Sequence, residues 1–232
     1  MIVNRFLIIS SIKIMINKHN DSEYILVGID YSYTSPALTI LDNGIYHSYA
    51  LWHNKTLPIK NTNIISKDHF NIYLDFYDKV IVYHSEIERY KKIADWAIQK
   101  IQSHSADKPL YIAIEGYSIG SRAGLLFNIA ENTAILKSGI IDILKPEIFL
   151  AYPPTYIKKN TTGKGTAKKN DMGKAFFDRN HFYVHEILKK KSPDSNPSSD
   201  IVDSFYILTQ LEQDVKSFFE KSTPINSTYK II

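Results

Sequence analysis

An α/β domain, its mixed five-stranded sheet flanked by helices, is the architecture expected of this 232-residue chain. Three features point there. Short apolar runs of strand length recur along the sequence, and two of them end in an acidic residue. Longer stretches repeat their apolar residues at helical spacing. Their order is three strands, then helix, strand, helix, strand and two helices.

Residues 24–29 are an unbroken apolar run closing on Asp30, the pattern of a buried strand with a polar residue at its mouth. Residues 37–41 form a second run, and Asp42-Asn43-Gly44 after it signals a hairpin. The chain returns at 45–51, which makes the first three strands an antiparallel meander. Residues 53–80 are rich in Asn, Lys, Thr and aromatics without a firm period, and are expected as a loop with one extra strand near 80–83. Residues 85–102 place Ile87, Tyr90, Ile93, Ala94, Ala97, Ile98 and Ile101 at helical spacing. Pro109 breaks the chain, and 110–114 is another buried run, ending at Glu115. Residues 122–143 read as a helix, 148–151 as a short strand closed by Pro153-Pro154. The stretch 158–174 is basic and contains glycine, 170–190 includes a helix, and 192–199 is rich in turn residues. Residues 200–219 return to helical spacing with Ser199 or Asp200 near the N-cap. There is no internal repeat.

Composition narrows the chemistry. The chain has no cysteine, which excludes disulfides, thiolate zinc sites and cysteine nucleophiles. Any metal must be held by oxygen or imidazole, which favours Mg²⁺ or Mn²⁺. The formal net charge of +4 is compatible with a polyanionic partner without demanding one. An apolar stretch over 6–16 is interrupted by Lys13 and is too short to span a bilayer, so no membrane role is expected. Residues 1–20 are read as an extension, with Met15 a candidate working start, 21–215 as the functional domain and 216–232 as a tail. The expected location is cytoplasmic.

The candidate chemistry lies in four carboxylates. Asp30 and Glu115 each follow a buried run, where an unpaired charge is costly and a divalent cation is one remedy. Asp200 and Asp203 are three apart on a helix, so they share a face and repel each other mildly. Together the four could hold one or two Mg²⁺ ions. Each signal alone has an ordinary reading: an Asp at a strand end is commonly a turn residue, and Asp-x-x-Asp at a helix start is commonly a capping pair. Lys158, Lys159, Lys164, Lys168, Lys169 and Lys174 crowd one stretch around Gly163 and Gly165. Such a cluster is commonly a solvated loop, but this one lies between two acidic motifs that would otherwise repel DNA. Ser121 and Arg122, before the long helix, are further phosphate candidates. His181 and His185 would share a helix face and are read as surface residues.

Four segments in order resemble the RuvC-type Holliday junction resolvases, especially the phage forms. They are Gly28-Ile-Asp30-Tyr-Ser-Tyr-Thr-Ser-Pro-Ala37, Ile114-Glu115-Gly-Tyr117-Ser-Ile-Gly-Ser121, the Lys-bearing stretch from Pro154 to Lys169, and Asp200-Ile-Val-Asp203-Ser-Phe205. The resemblance implies an RNase H-like fold, a homodimer and Mg²⁺-dependent nicking of branched DNA in the cytoplasm, that of the host if the chain is phage-encoded. Mn²⁺ would be able to replace Mg²⁺. By that resemblance Asp30, Glu115, Asp200 and Asp203 are metal ligands, with Asp30 central, and Lys158 and Lys169 meet the scissile phosphate. Lys169 is the catalytic lysine, Lys164 and Lys168 bind DNA, and Tyr117 contacts the unpaired junction core. The sequence departs from compact bacterial forms in its longer 53–83 segment and its extensions at both ends. Two other readings share parts of this pattern: a non-catalytic junction-binding protein, and an ATPase of the actin or Hsp70 kind. The second would need glycine-rich phosphate loops and a longer chain, and neither is present.

Overall fold

Strand β1 (Ile25–Asp30) is buried at every position, and the rest of the molecule is arranged around it. The computed structural model describes residues 24–33, 35–52, 65–77, 85–105, 108–117, 123–221 and 230–231. One side of β1 pairs antiparallel with β2 (Ala37–Asp42), which pairs antiparallel with β3 (Ile45–Trp52). The Asn43-Gly44 turn between them takes positive φ at both residues, 50° and 77°, as a two-residue hairpin requires. The other side of β1 pairs in parallel with β6 (Leu110–Glu115), and β6 in parallel with β7 (Ile148–Tyr152).

These five strands are the expected core of the sheet, but among the described residues it also takes in β4 (Ile65–Lys67), β5 (Phe70–Phe76) and β8 (Lys230–Ile231), in the order β4-β5-β3-β2-β1-β6-β7-β8. Strands β4 and β5 form where a loop was expected. Their signal is a short alternation: Phe70, Ile72 and Leu74 point inward, with Asn71, Tyr73 and Asp75 between them half-exposed. Strand β5 runs parallel to β3, a pairing that no hairpin turn announces. The extra strand expected near 80–83 lies outside the described residues. Strand β8 pairs antiparallel with β7.

Helices cover both faces. Helix α1 (Glu86–Ser105) and α2 (Ala123–Gly139), which runs on into a π-helical turn at Ile140–Leu144, pack together against one face. Ile25, Val27, Ile29, Ile93, Ala97, Ile112 and Ile114 form an aliphatic core there. Ile87, at the same helical spacing in α1, proves exposed. At the far end of this face His104 bonds both Asp42 and Tyr49, and its ring lies 4.6 Å from that of His47. The basic stretch 158–174 is mostly helical rather than a loop: α3 (Pro154–Thr162) carries Lys158 and Lys159, and α4 (Lys169–Asn180) carries Lys169 and Lys174. Pro154 opens α3 at its first position, where proline suits a helix, and Gly163 ends it with φ 81°. His181 caps α4 with φ 61°, and His185 belongs to the short α5 (Val184–Ile187), so the two histidines do not share a helix. The peptide joining Asn196 to Pro197 is cis. Helix α6 (Ser198–Lys221) then crosses the second face over β1, β2 and β6.

That crossing is close because Gly28 has no side chain. A Cβ there would lie 2.3 Å from the backbone N of Leu208 and the backbone O of Ser204. A short ladder of hydroxyls extends the contact, with Thr39 on β2 bonded to Ser204 at 2.8 Å and to Ser48 on β3 at 2.7 Å. Among the described residues, no helix is long and apolar enough to cross a membrane.

Gly28→Ala should therefore destabilise the fold by ~3 kcal/mol or more, since the obstruction is backbone that no rotamer change clears. Gly44→Ala, which meets open space at positive φ, should cost only ~1 kcal/mol. Chemical denaturation midpoints of the two variants check the difference, and equal midpoints would refute the close-contact account.

Candidate functional site

Asp30 is the last residue of β1 and Glu115 the last of β6. These strands run in parallel with Ile29 opposite Ile114, so the two acids leave the sheet side by side at the same end. The contact at Gly28 lays the first turns of α6 over that end, and Asp200 and Asp203 sit in those turns. Asp30 and Asp200 are buried, at 8% and 3% exposure, while Glu115 and Asp203 are half-buried.

The electrostatics show that the four act on one another. Burial is the main reason that Asp30 holds its proton far above the usual aspartate range, and Glu115, Asp200 and Asp203 add repulsion in that order. Burial pushes Glu115 up to about 7, with Asp203 the next cause. Burial likewise pushes Asp203 up to about 6, against the pull of Lys169 and Lys158. Asp200 is raised by burial and drawn back by its bond from Ser35 and by Lys169. Four hard oxygen donors in this condition have the chemistry of a Mg²⁺ or Mn²⁺ site, because a cation relieves both the burial cost and the repulsion. Among the described residues, however, no group of three His, Asp or Glu side chains is gathered so as to hold a metal ion. The donor types are nevertheless those that suit such a cation.

Two lysines face the acids. Lys169, the first residue of α4, places Nζ 3.9 Å from Asp200 Oδ1 and donates to Ser199 Oγ at 2.8 Å. Lys158 on α3 acts on Glu115 and Asp203. Lys164 and Lys168 are exposed on the short connection between α3 and α4. Tyr117 lies two residues beyond Glu115, 47% exposed, with Lys137 Nζ 5.0 Å from its ring centre. Ser121 and Arg122 lie outside the described residues. Beside Asp30 and Glu115 opens a cleft of about 300 Å³ walled by Tyr31, Tyr33, Tyr117 and, from α2, Ile129 and Thr133. A larger hollow of about 400 Å³ between α3, α4 and α6 is lined by none of the four acids.

Two residues at the site, Ser35 and Asn196, were not singled out in the sequence. Ser35 is fully buried and donates to Asp200 Oδ2 at 2.7 Å. Asn196 donates to Ser35 and accepts from Ser199, at 2.8 and 2.9 Å. Serine and asparagine in turn-rich stretches carry no periodic signal, so only the folded chain reveals what they touch.

No protein-family model matches the chain, and no curated protein matches it. Solved structures do. RuvC of Thermus thermophilus is similar at 13% identity and a TM-score of 0.49, over 90% of this chain and 99% of that one. T. thermophilus RuvC in complex with Holliday junction substrate is similar at 12% identity and a TM-score of 0.50, with the same coverage, 90% and 99%. The yeast mitochondrial Holliday junction resolvase follows at 12% identity and a TM-score of 0.46, over 90% and 88%. At such identities the likeness is one of fold, and the RuvC complex carries it: the α/β fold is RuvC-like, of the RNase H-like type.

Raised carboxylates also set the pH dependence of stability. Their folded values exceed the unfolded ones, so their contribution is complete at low pH and is lost as pH rises through the folded values of about 6 for Asp203 and about 7 for Glu115. The lowered groups Asp42 and Glu86 work in the opposite sense, on the acid side of their ordinary values. Metal-free protein should therefore melt lower at pH ~8 than at pH ~5, by on the order of 5 °C. Glu115→Gln should flatten that slope. Melting curves in EDTA across this range test it, and a metal-free protein that gains stability over the same interval would refute it.

Proposed function

We propose that this chain is a divalent-cation-dependent endonuclease that hydrolyses phosphodiesters in branched DNA, with the four-way junction as its first expected substrate. The observation that carries the reading is the set of four mutually repelling carboxylates at one sheet end, with Lys158 and Lys169 turned toward them. Buried acids that take up protons near neutral pH are a poor way to stabilise a fold and a good way to receive a cation. The RuvC-like fold supports the choice of substrate class, since RuvC has been solved in complex with Holliday junction substrate.

Asp30, Glu115, Asp200 and Asp203 would hold Mg²⁺, with Mn²⁺ able to substitute. When bound, the cation lowers the pKa of a coordinated water and offsets charge on the departing oxygen. Lys169 would sit against the phosphate and balance the charge that develops there. Lys158 partly neutralises the acid cluster that a DNA backbone must approach. Exposed Lys164 and Lys168 would hold flanking phosphates, and Tyr117 offers an exposed ring to an unstacked base at the branch point. Ser121 and Arg122 remain candidates for phosphate contact on sequence grounds. Resolving a junction takes two nicks, which calls for two copies of the site and hence a homodimer. Phe127, 70% exposed on α2, is an apolar side chain suited to that contact.

With labelled four-way, flap, fork and linear DNAs, cutting should require Mg²⁺, stop in EDTA and favour branched forms. Asp30→Asn should bind the junction in EDTA and cut at least ~100-fold more slowly. Equal cutting by that variant would remove the mechanism, and ATP hydrolysis without nicking would favour an ATPase. Junction affinity should fall steeply between ~50 and ~200 mM salt, and Lys164→Ala with Lys168→Ala should shallow the slope by ~2. Sedimentation should show a dimer, which Phe127→Asp dissociates if α2 forms the contact.

A further inference from the structure

Asn196 is not one of the acids, yet its side chain joins both halves of the site. Its Nδ2 donates to Ser35 Oγ at 2.8 Å, and its Oδ1 accepts from Ser199 Oγ at 2.9 Å. Ser35 donates in turn to Asp200 Oδ2 at 2.7 Å, and its backbone N–H is held by Ser32 Oγ at 2.9 Å. Ser199 accepts from Lys169 Nζ at 2.8 Å, and its own Oγ lies 3.4 Å from Asp200 Oδ1.

Hydrogen-bond polarity gives this ring a direction. An amide NH₂ only donates and an amide oxygen only accepts, whereas a hydroxyl has one proton to give. Because Asn196 donates to Ser35, the single Ser35 proton is left for Asp200. Because Asn196 accepts from Ser199, the lone pairs of that hydroxyl are left for the Lys169 ammonium. Turned over, the amide would take the Ser35 proton for itself and deprive Asp200 Oδ2 of that donor. It would also set a second donor on Ser199 beside Lys169. Only the orientation seen leaves the Ser35 proton for Asp200 Oδ2.

We propose that Asn196 is a positioning residue: one side-chain amide sets the proton direction of two buried hydroxyls, and through them holds Asp200 and Lys169 in register for a cation. The proposal rests on the reading of the site given above. Outer partners that orient a metal ligand tune affinity by roughly 10–100-fold. Asn196→Ala should accordingly weaken Mg²⁺ binding by the full-length protein about 10-fold, measured by calorimetry without DNA. Asn196→Leu keeps the size but offers neither donor nor acceptor and adds no charge, so it should weaken binding to a similar degree. It also supplies a second variant if the alanine does not fold. Ser35→Ala combined with Asn196→Ala should cost less than the product of the single effects, because both act through one hydrogen bond. In the metal-free protein the Asn196 side-chain NH₂ should exchange slowly by ¹⁵N NMR, and faster in Ser35→Ala. Wild-type Mg²⁺ affinity in both Asn196 variants, a multiplicative double variant, or an NH₂ group exchanging freely would each overturn the proposal. A wild-type protein that binds no Mg²⁺ would bring down the site reading itself, a result told apart because the unaltered chain is then as silent as its variants.

Discussion

The close approach of α6 to Gly28 is the constraint on which the site depends. Two strands can bring Asp30 and Glu115 side by side through pairing alone, but Asp200 and Asp203 arrive from a helix far along the chain. Helix and sheet normally meet through side chains, which would hold the helix axis well away from the strand. Here backbone meets backbone at Gly28, and the hydroxyls of Thr39, Ser48 and Ser204 join the three neighbouring elements just beside that point. The distance saved is what lets helical acids and strand-end acids repel one another as a single group.

That repulsion opposes stability locally and has to be offset elsewhere. Aliphatic residues fill one face of the sheet, and an aromatic cluster fills the other beneath α6. Phe70 of β5, Phe176 of α4 and Phe205 of α6 meet at ring-centre distances of 5.0 to 5.7 Å, with Phe182 and Tyr46 against them. Edge-to-face rings of this kind contribute beyond their buried area and fix relative orientation. The same rings that stabilise α6 also tie it to α4, the helix carrying Lys169. Strain at the acids and rigidity behind them are thus parts of one arrangement.

Much of this was legible in the sequence, for stated reasons. A buried strand is an unbroken apolar run, so Asp30 and Glu115 stood out where such runs stopped. Asp200 and Asp203 were legible through helical spacing, and the hairpin at Asn43-Gly44 through its demand for positive φ. Strands β4 and β5 were not, because three inward residues make a faint alternation and parallel pairing with β3 has no local marker. The lysine stretch looked like a loop because its glycine and charge outweighed the helix start that Pro154 provides. Ser35 and Asn196 were illegible altogether, since a hydrogen bond across 161 positions leaves no periodicity. The pairing of His47 with His104 was hidden for the same reason.

The order in which the acids occur along the chain has a consequence for synthesis. Asp30 and Glu115 emerge from the ribosome early, while Asp203 and the α6 turn that positions it come late in the 232 residues. Gly28 waits for Ser204 and Leu208, and Phe70 waits for Phe205. Contacts so distant in sequence close slowly and together. A chain cut before α6 therefore lacks half of the acid cluster, and whatever this site does is withheld until that helix has been made and docked.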